Sequence, residues 1–73
     1  MPRYYFDVTD GHTRFTDDEG EELQGDRHAC DCARSVLTET LKSRVGDFDT
    51  EAAVTIRDAS GPRFLTKLSI RLE

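Results

Sequence analysis

Two side chains near the middle of the chain could act together. His28 and Cys32 stand four residues apart, so on a helix they share a face and could reach one ligand position, with Asp31 or Glu39 nearby. Imidazole nitrogen and thiolate sulfur are ligands for zinc or nickel. A protein site needs three or four such groups, and the remaining candidates are a single histidine, His12, and a single cysteine, Cys30. His28 and Cys32 are thus a weak pair, and neither a metal site nor a cofactor is expected. The same two residues could be read as base and nucleophile. A reactive thiolate needs an electropositive setting, whereas Asp31 and Glu39 would raise the thiol pKa. No catalytic residue is expected, and the chain reads as non-enzymatic.

Carboxylates are abundant. Asp17, Asp18, Glu19, Glu21, Glu22 and Asp26 put six acids into ten residues with no Lys or Arg among them. Paired-acid catalysis requires two carboxyls with separated pKa values in a cleft, so this run reads as a solvated acidic loop. Its spacing fails the EF-hand pattern, which wants Gly at the sixth ligand-loop position and Glu at the twelfth. Asp47, Asp49 and Glu51 mimic the first ligands of such a loop, but Ala52 stands where Gly is required.

Charge says more when resolved along the chain. Fifteen acids against ten bases give 73 residues a net charge of −5. Residues 1–26 carry −6 of it and the remainder is slightly positive. Arg57, Arg63, Lys67 and Arg71 take the outward phase of two successive strands, with Tyr5 available for stacking. These five residues form the candidate interaction surface, opposite in sign to the loop at Asp17, Asp18, Glu19, Glu21 and Glu22. Edge protection by Lys and Arg, self-association as a possible homodimer and capture of a protein partner are the competing readings. Nucleic acid is disfavoured, because an acidic chain with four clustered cations lacks the basic surface that displaces counterions.

The elements that must position these groups follow from periodicity. Residues 3–8 alternate as a strand with Tyr4, Phe6 and Val8 on one face. Asp10-Gly11 signals a hairpin, returning through Thr13–Thr16 with Phe15 inward. Residues 26–45 are helical: Ala29, Cys30, Ala33, Val36, Leu37 and Leu41 share a face, opposite His28, Cys32, Ser35 and Glu39. Asp26 is the expected N-cap, Lys42 and Arg44 lie in the last turn, and Gly46 stands at the left-handed position that ends helices. Phe48 is expected to plug the helix end. Residues 51–57 alternate with Val54 and Ile56 inward. After a turn at 58–62, residues 63–72 point Phe64, Leu68, Ile70 and Leu72 inward and Leu65 outward. The order is β-β-α-β-β, one α+β domain over residues 1–73 with a helix on one face of a small antiparallel sheet. The two longest outer strands, 3–8 and 63–72, are expected to pair at its centre.

Leu, Ile, Val and Phe supply only 16 of the 73 residues, a lean core that leaves the domain near the lower limit for folding on one core. No run of 18 apolar residues is present, so no membrane helix is expected. Met1–Asp7 lacks the apolar stretch of a secretory signal. With only two cysteines, too close to staple the fold, the expected location is the reducing cytoplasm.

The opening Met-Pro-Arg-Tyr-Tyr-Phe-Asp-Val-x-Asp-Gly, the later Asp-Asp-Glu-Gly-x-Glu-Leu and the Ala-containing helix resemble a family of small bacterial proteins of unknown function. Those begin with a Pro-Arg-Tyr-Phe-Phe segment and share the Asp-Asp-Glu-Gly element. The likeness covers the first forty residues well and the final hairpin more loosely, and it implies no catalytic residues. The Gln-Gly-Asp-Arg-His-Ala-Cys lead-in to the helix differs from that family's usual Leu-Pro-acidic one. A looser, architectural likeness runs to HicB-like antitoxin domains, which implies a toxin partner as an alternative. The expected function is a protein-interaction or regulatory module.

Overall fold

The computed structural model describes residues 1–11, 13–42 and 50–70. Expectations for His12, Arg44, Gly46, Asp47, Phe48, Asp49, Arg71 and Leu72 lie outside the described residues, as does the side chain of Ile70. Strands β1 (Arg3–Thr9), β2 (Arg14–Phe15) and β3 (Glu21–Glu22) precede helix α1 (Asp26–Lys42), which is followed by β4 (Thr50–Asp58) and β5 (Gly61–Ile70). This is the predicted α+β order with one short strand added. The first turn closes through Asp10, whose carboxylate accepts the Thr13 N–H at 2.8 Å and whose own N–H donates to the Thr13 carbonyl at 3.2 Å. Gly11 supplies the positive φ there.

All strand pairs are antiparallel, in the order β2-β1-β4-β5, with β3 also paired to β1. On the helix side the ladder reads Phe6–Ile56–Phe64, then Val8–Val54–Thr66, then Ala52–Leu68. On the other side it reads Tyr5–Arg57, Asp7–Thr55–Leu65 and Thr9–Ala53–Lys67. The core comprises Tyr4, Phe6, Leu23, Ala29, Ala33, Leu37, Ala52, Val54 and Ile56. Ala29, Ala33 and Leu37 follow the four-residue spacing of a single helix stripe, and the alanines let α1 lie close to the sheet. Val54 and Ile56 are fully buried under it, each worth about 2 kcal/mol.

The sheet centre differs from expectation. β1 and β5 do not meet; β4 lies between them. The reason is burial: Ala52, Val54 and Ile56 are all inaccessible, and a strand so apolar on its helix side belongs in the middle. Phe15 keeps the inward phase, opposite Val8, but is 62 % exposed, because β2 is only two residues long. Leu68 keeps the inward phase but remains 45 % exposed, since β5 is an edge strand. Cys32 does not sit opposite the core; it is half-buried and packs against it together with Cys30, Val36 and Leu41.

Asp26 does not cap by its side chain. It occupies the first helical position, with the Gly25 carbonyl accepting the Ala29 N–H at 3.0 Å. Its carboxylate instead accepts from Tyr4 Oη at 2.7 Å and from Arg63 at 2.9 Å, tying the start of α1 to β1 and β5. Arg63 can reach it because a register shift opposite Ile56 and Arg57 makes Arg63 the extra residue between Pro62 and Phe64. The bulge takes Arg63 away from the outward phase predicted for it.

Candidate functional site

The outward side of the sheet is organised around Arg57. Its Nε donates to Asp7 Oδ2 at 2.8 Å, a second nitrogen reaches Asp7 Oδ1 at 3.4 Å and also donates to the Asp17 carbonyl. The guanidinium lies over the Tyr5 ring, 4.6 Å from its centroid, a cation–π arrangement. The hydrogen bond to Asp7 raises the Arg57 pKa further above its already high ordinary value. Arg57 and Tyr5 are thus engaged with each other and with the acidic segment.

The acidic run is a built loop. Asp17 Oδ2 accepts the Phe6 N–H at 3.1 Å, while Oδ1 accepts the N–H groups of Glu19 and Gly20, both at 3.1 Å. The Asp17 N–H in turn donates to Asp7 Oδ1 at 3.0 Å. Burial pushes the Asp17 carboxyl upward, but the N–H groups of Gly20, Phe6 and Glu19, with Arg57 nearby, outweigh it and hold the pKa below its ordinary value. Gly20 has φ +71°, and a Cβ there would lie 2.8 Å from Tyr5 and 2.9 Å from the Tyr4 carbonyl. Asp18, Glu19, Glu21 and Glu22 are exposed; Arg3 reaches Glu22 at 3.7 Å and donates to the Glu19 carbonyl at 2.7 Å.

This loop closes one edge of the sheet. Pairing covers Val8 and Thr9 through β2, and Arg3 and Tyr4 through β3. Between them the Asp17 carboxylate takes the Phe6 N–H that a strand would otherwise have accepted. Leu23 extends the seal by donating its N–H to the Pro2 carbonyl at 3.0 Å.

The opposite edge is different. β5 runs ten residues, and among the described residues no strand pairs with its far side. Arg63 bonds Asp58 and Asp26, both at 2.9 Å, with its guanidinium 5.4 Å from the Phe64 ring centroid. The hydrogen bond to Asp58 comes first in raising its pKa. Lys67 reaches Glu51 on β4 at 3.5 Å. Both described cations of this strand therefore lie against acids of their own chain. Two leucines are exposed on β5, Leu65 at 66 % on the outer face and Leu68 at 45 % on the helix face, beside the exposed Pro62, Arg63, Lys67 and Ser69.

The other sequence candidates are dispersed. His28 is exposed, and its Nδ1 accepts the Gln24 N–H at 3.5 Å, whereas Cys32 is half-buried. Burial first, then Glu21 and Asp31, pushes the Cys32 thiol above its ordinary value. Among the described residues no three of His, Cys, Asp and Glu are grouped to hold a metal ion, and no helix is long and apolar enough to cross a membrane. An open hollow of about 500 Å³ at the start of α1 is lined by Gln24–His28 and Asp31. A smaller one of about 170 Å³ on the outer face touches Asp7, Thr9, Arg14, Thr16 and Thr55.

The five predicted interaction residues thus divide. Arg57 and Tyr5 belong to the loop clasp, Arg63 to the junction of α1 and β5, Lys67 lies on the outer face of β5, and Arg71 is outside the described residues. Sequence reasoning missed Asp7 and Asp17 as the groups that organise the loop. The signal was present in Asp17-Asp18-Glu19-Gly20, since Asp followed three residues later by Gly is a turn-forming pattern.

Residues 3–67 match the model of the family described as Domain of unknown function (DUF6894). The chain belongs to that family. The match takes in β1, the acidic loop, α1, β4 and β5 as far as Lys67, so the final hairpin is included. No match is found among curated proteins or among solved structures. The DUF6894 assignment carries no activity, and the reading of the surface rests on its geometry.

Proposed function

We propose that this DUF6894 domain is a non-enzymatic interaction module that binds by accepting a strand from a protein partner along the edge of β5 that no strand covers among the described residues. The single observation that carries this reading is the contrast between that edge and its residues: ten residues of strand, two exposed leucines on opposite faces, and cations drawn back onto Asp26, Asp58 and Glu51. An edge that long presents a row of backbone donors and acceptors, and strand addition uses them for affinity while alternate side chains set specificity.

The test compares capture from native lysate by the wild-type chain and by Leu65→Lys/Leu68→Lys. A partner held by the first and lost by the second, with slowed amide exchange over residues 62–70 in the complex, supports the proposal. A partner retained equally by both chains overturns it. If the partner proves toxin-sized, the module is antitoxin-like in the sense of the HicB-like domains.

A further inference from the structure

We infer that the strand β5 accepts is β5 of a second copy, paired antiparallel about a two-fold axis that passes through Thr66. The inference rests on the strand-addition reading and specifies its occupant. A two-fold axis perpendicular to the sheet continues the sheet, keeps both helices on the same side, and places residues of the same face opposite one another. The facing residue numbers must then have an even sum, which leaves few registers.

Centring on Thr66 sets Phe64 against Leu68 of the second copy on the helix side. On the outer side it sets Leu65 against the aliphatic stem of Lys67 of the second copy. Both exposed leucines of the strand become covered, and twice over by symmetry. The pairing uses Phe64–Leu68, the regular stretch beyond the bulge at Arg63. The neighbouring registers are worse. Centring on Lys67 opposes two lysines, and like charges facing across strands are destabilising; centring on Leu65 sets Leu68 against Pro62 of the second copy and runs the pairing into the bulge at Arg63. The second copy is favoured over an unrelated strand because this one strand supplies both halves of the apolar match.

Directly opposed residues in an antiparallel pair have Cα atoms about 4.5–5.5 Å apart, within disulfide range. In the full-length chain carrying Cys30→Ala/Cys32→Ser, Thr66→Cys should form a disulfide-linked dimer on mild oxidation. Leu65→Cys and Lys67→Cys should each stay monomeric under the same treatment, yet link to one another when mixed. In the wild-type chain, analytical ultracentrifugation should give a concentration-dependent mass approaching twice 8.3 kDa. Leu65→Lys, which sets a lysine against Lys67 of the second copy at both symmetric positions, should raise the dimer dissociation constant at least about tenfold with an unchanged circular dichroism spectrum. Linkage of Leu65→Cys or Lys67→Cys to itself in place of Thr66→Cys overturns the register. A wild-type chain monomeric up to millimolar concentration overturns self-pairing. In that case strand addition stands if a captured partner protects the β5 amides, and fails with it if none does.

Discussion

The two edges of this sheet meet the same physical problem in opposite ways. On the β1 side, the unpaired backbone groups are covered by two two-residue strands and, between them, by the carboxylate of Asp17. On the β5 side a ten-residue strand carries no such cover among the described residues, and its exposed side chains include two leucines, Leu65 and Leu68. The difference teaches that acidic residues in this domain are not simply solvating. Where the charge is densest, a carboxylate stands in for a missing strand. On β5 the described cations, Arg63 and Lys67, pair with acids of their own chain, and among the described residues no strand covers the edge.

The sharpest way to break the closed edge is Gly20→Ala. The added Cβ would meet the Tyr4 carbonyl at 2.9 Å, a backbone atom that cannot step aside, at a φ that L-residues rarely adopt. A destabilisation of about 3 kcal/mol is expected in urea titrations, together with faster exchange of the Phe6 amide. Asp17→Ala removes the acceptor for three N–H donors. Because water can reach part of this site, the expected cost is about 2 kcal/mol, less than three full charge-assisted hydrogen bonds.

Acid should open the same edge. The Asp17 pKa in the folded chain lies below its ordinary value of 3.8, so above that value the group contributes its full stabilisation. Below it the unfolded chain binds the proton more readily, and the contribution disappears as pH falls through the folded-state pKa. Asp58 is shifted the same way, chiefly by the Ser60 N–H. Stability measured from pH 5 downward should therefore fall less steeply in Asp17→Asn than in the parent.

The open edge should respond in the reverse sense. Leu65→Lys is expected to change monomer stability by less than about 0.5 kcal/mol, because the side chain is already exposed, while weakening association. A loss of stability comparable to Gly20→Ala would mean that β5 is as integral to the monomer as the β1 edge. The smallest effect expected is at Cys32. Its raised thiol pKa should make it react with a thiol reagent at pH 7.5 more slowly in the native chain than in urea.

Much of the fold was readable because local pattern and burial agree. The stripe at Ala29, Ala33 and Leu37, the alternation at Tyr4 and Phe6, and the inward pair Val54 and Ile56 are periodic signals that packing had only to accept. Strand order was not readable. Antiparallel strands with one apolar face can be shuffled without changing any local pattern, and only the competition for the covered central place favoured Ala52, Val54 and Ile56 over β5. Phe15 and Leu68 were misjudged for a related reason: phase tells which way a side chain points, and not whether α1 extends far enough to cover it.

The candidate site divides in the same way. The sequence alone determined that charge is segregated along the chain and that four strands flank one helix in the order β-β-α-β-β, with the short β3 missed, and it offered no spaced set of ligands. Which charges remain free was decided by tertiary structure. Arg57 and Asp7 are fifty residues apart, as Arg63 and Asp26 are thirty-seven apart, and only the antiparallel registers and the bulge at Arg63 bring them within hydrogen-bond reach. Ion pairing at that separation depends on three-dimensional distance, which periodicity does not encode; it set the described cations of an apparent basic face against acids of the same chain, with Leu65 and Leu68 exposed beside them.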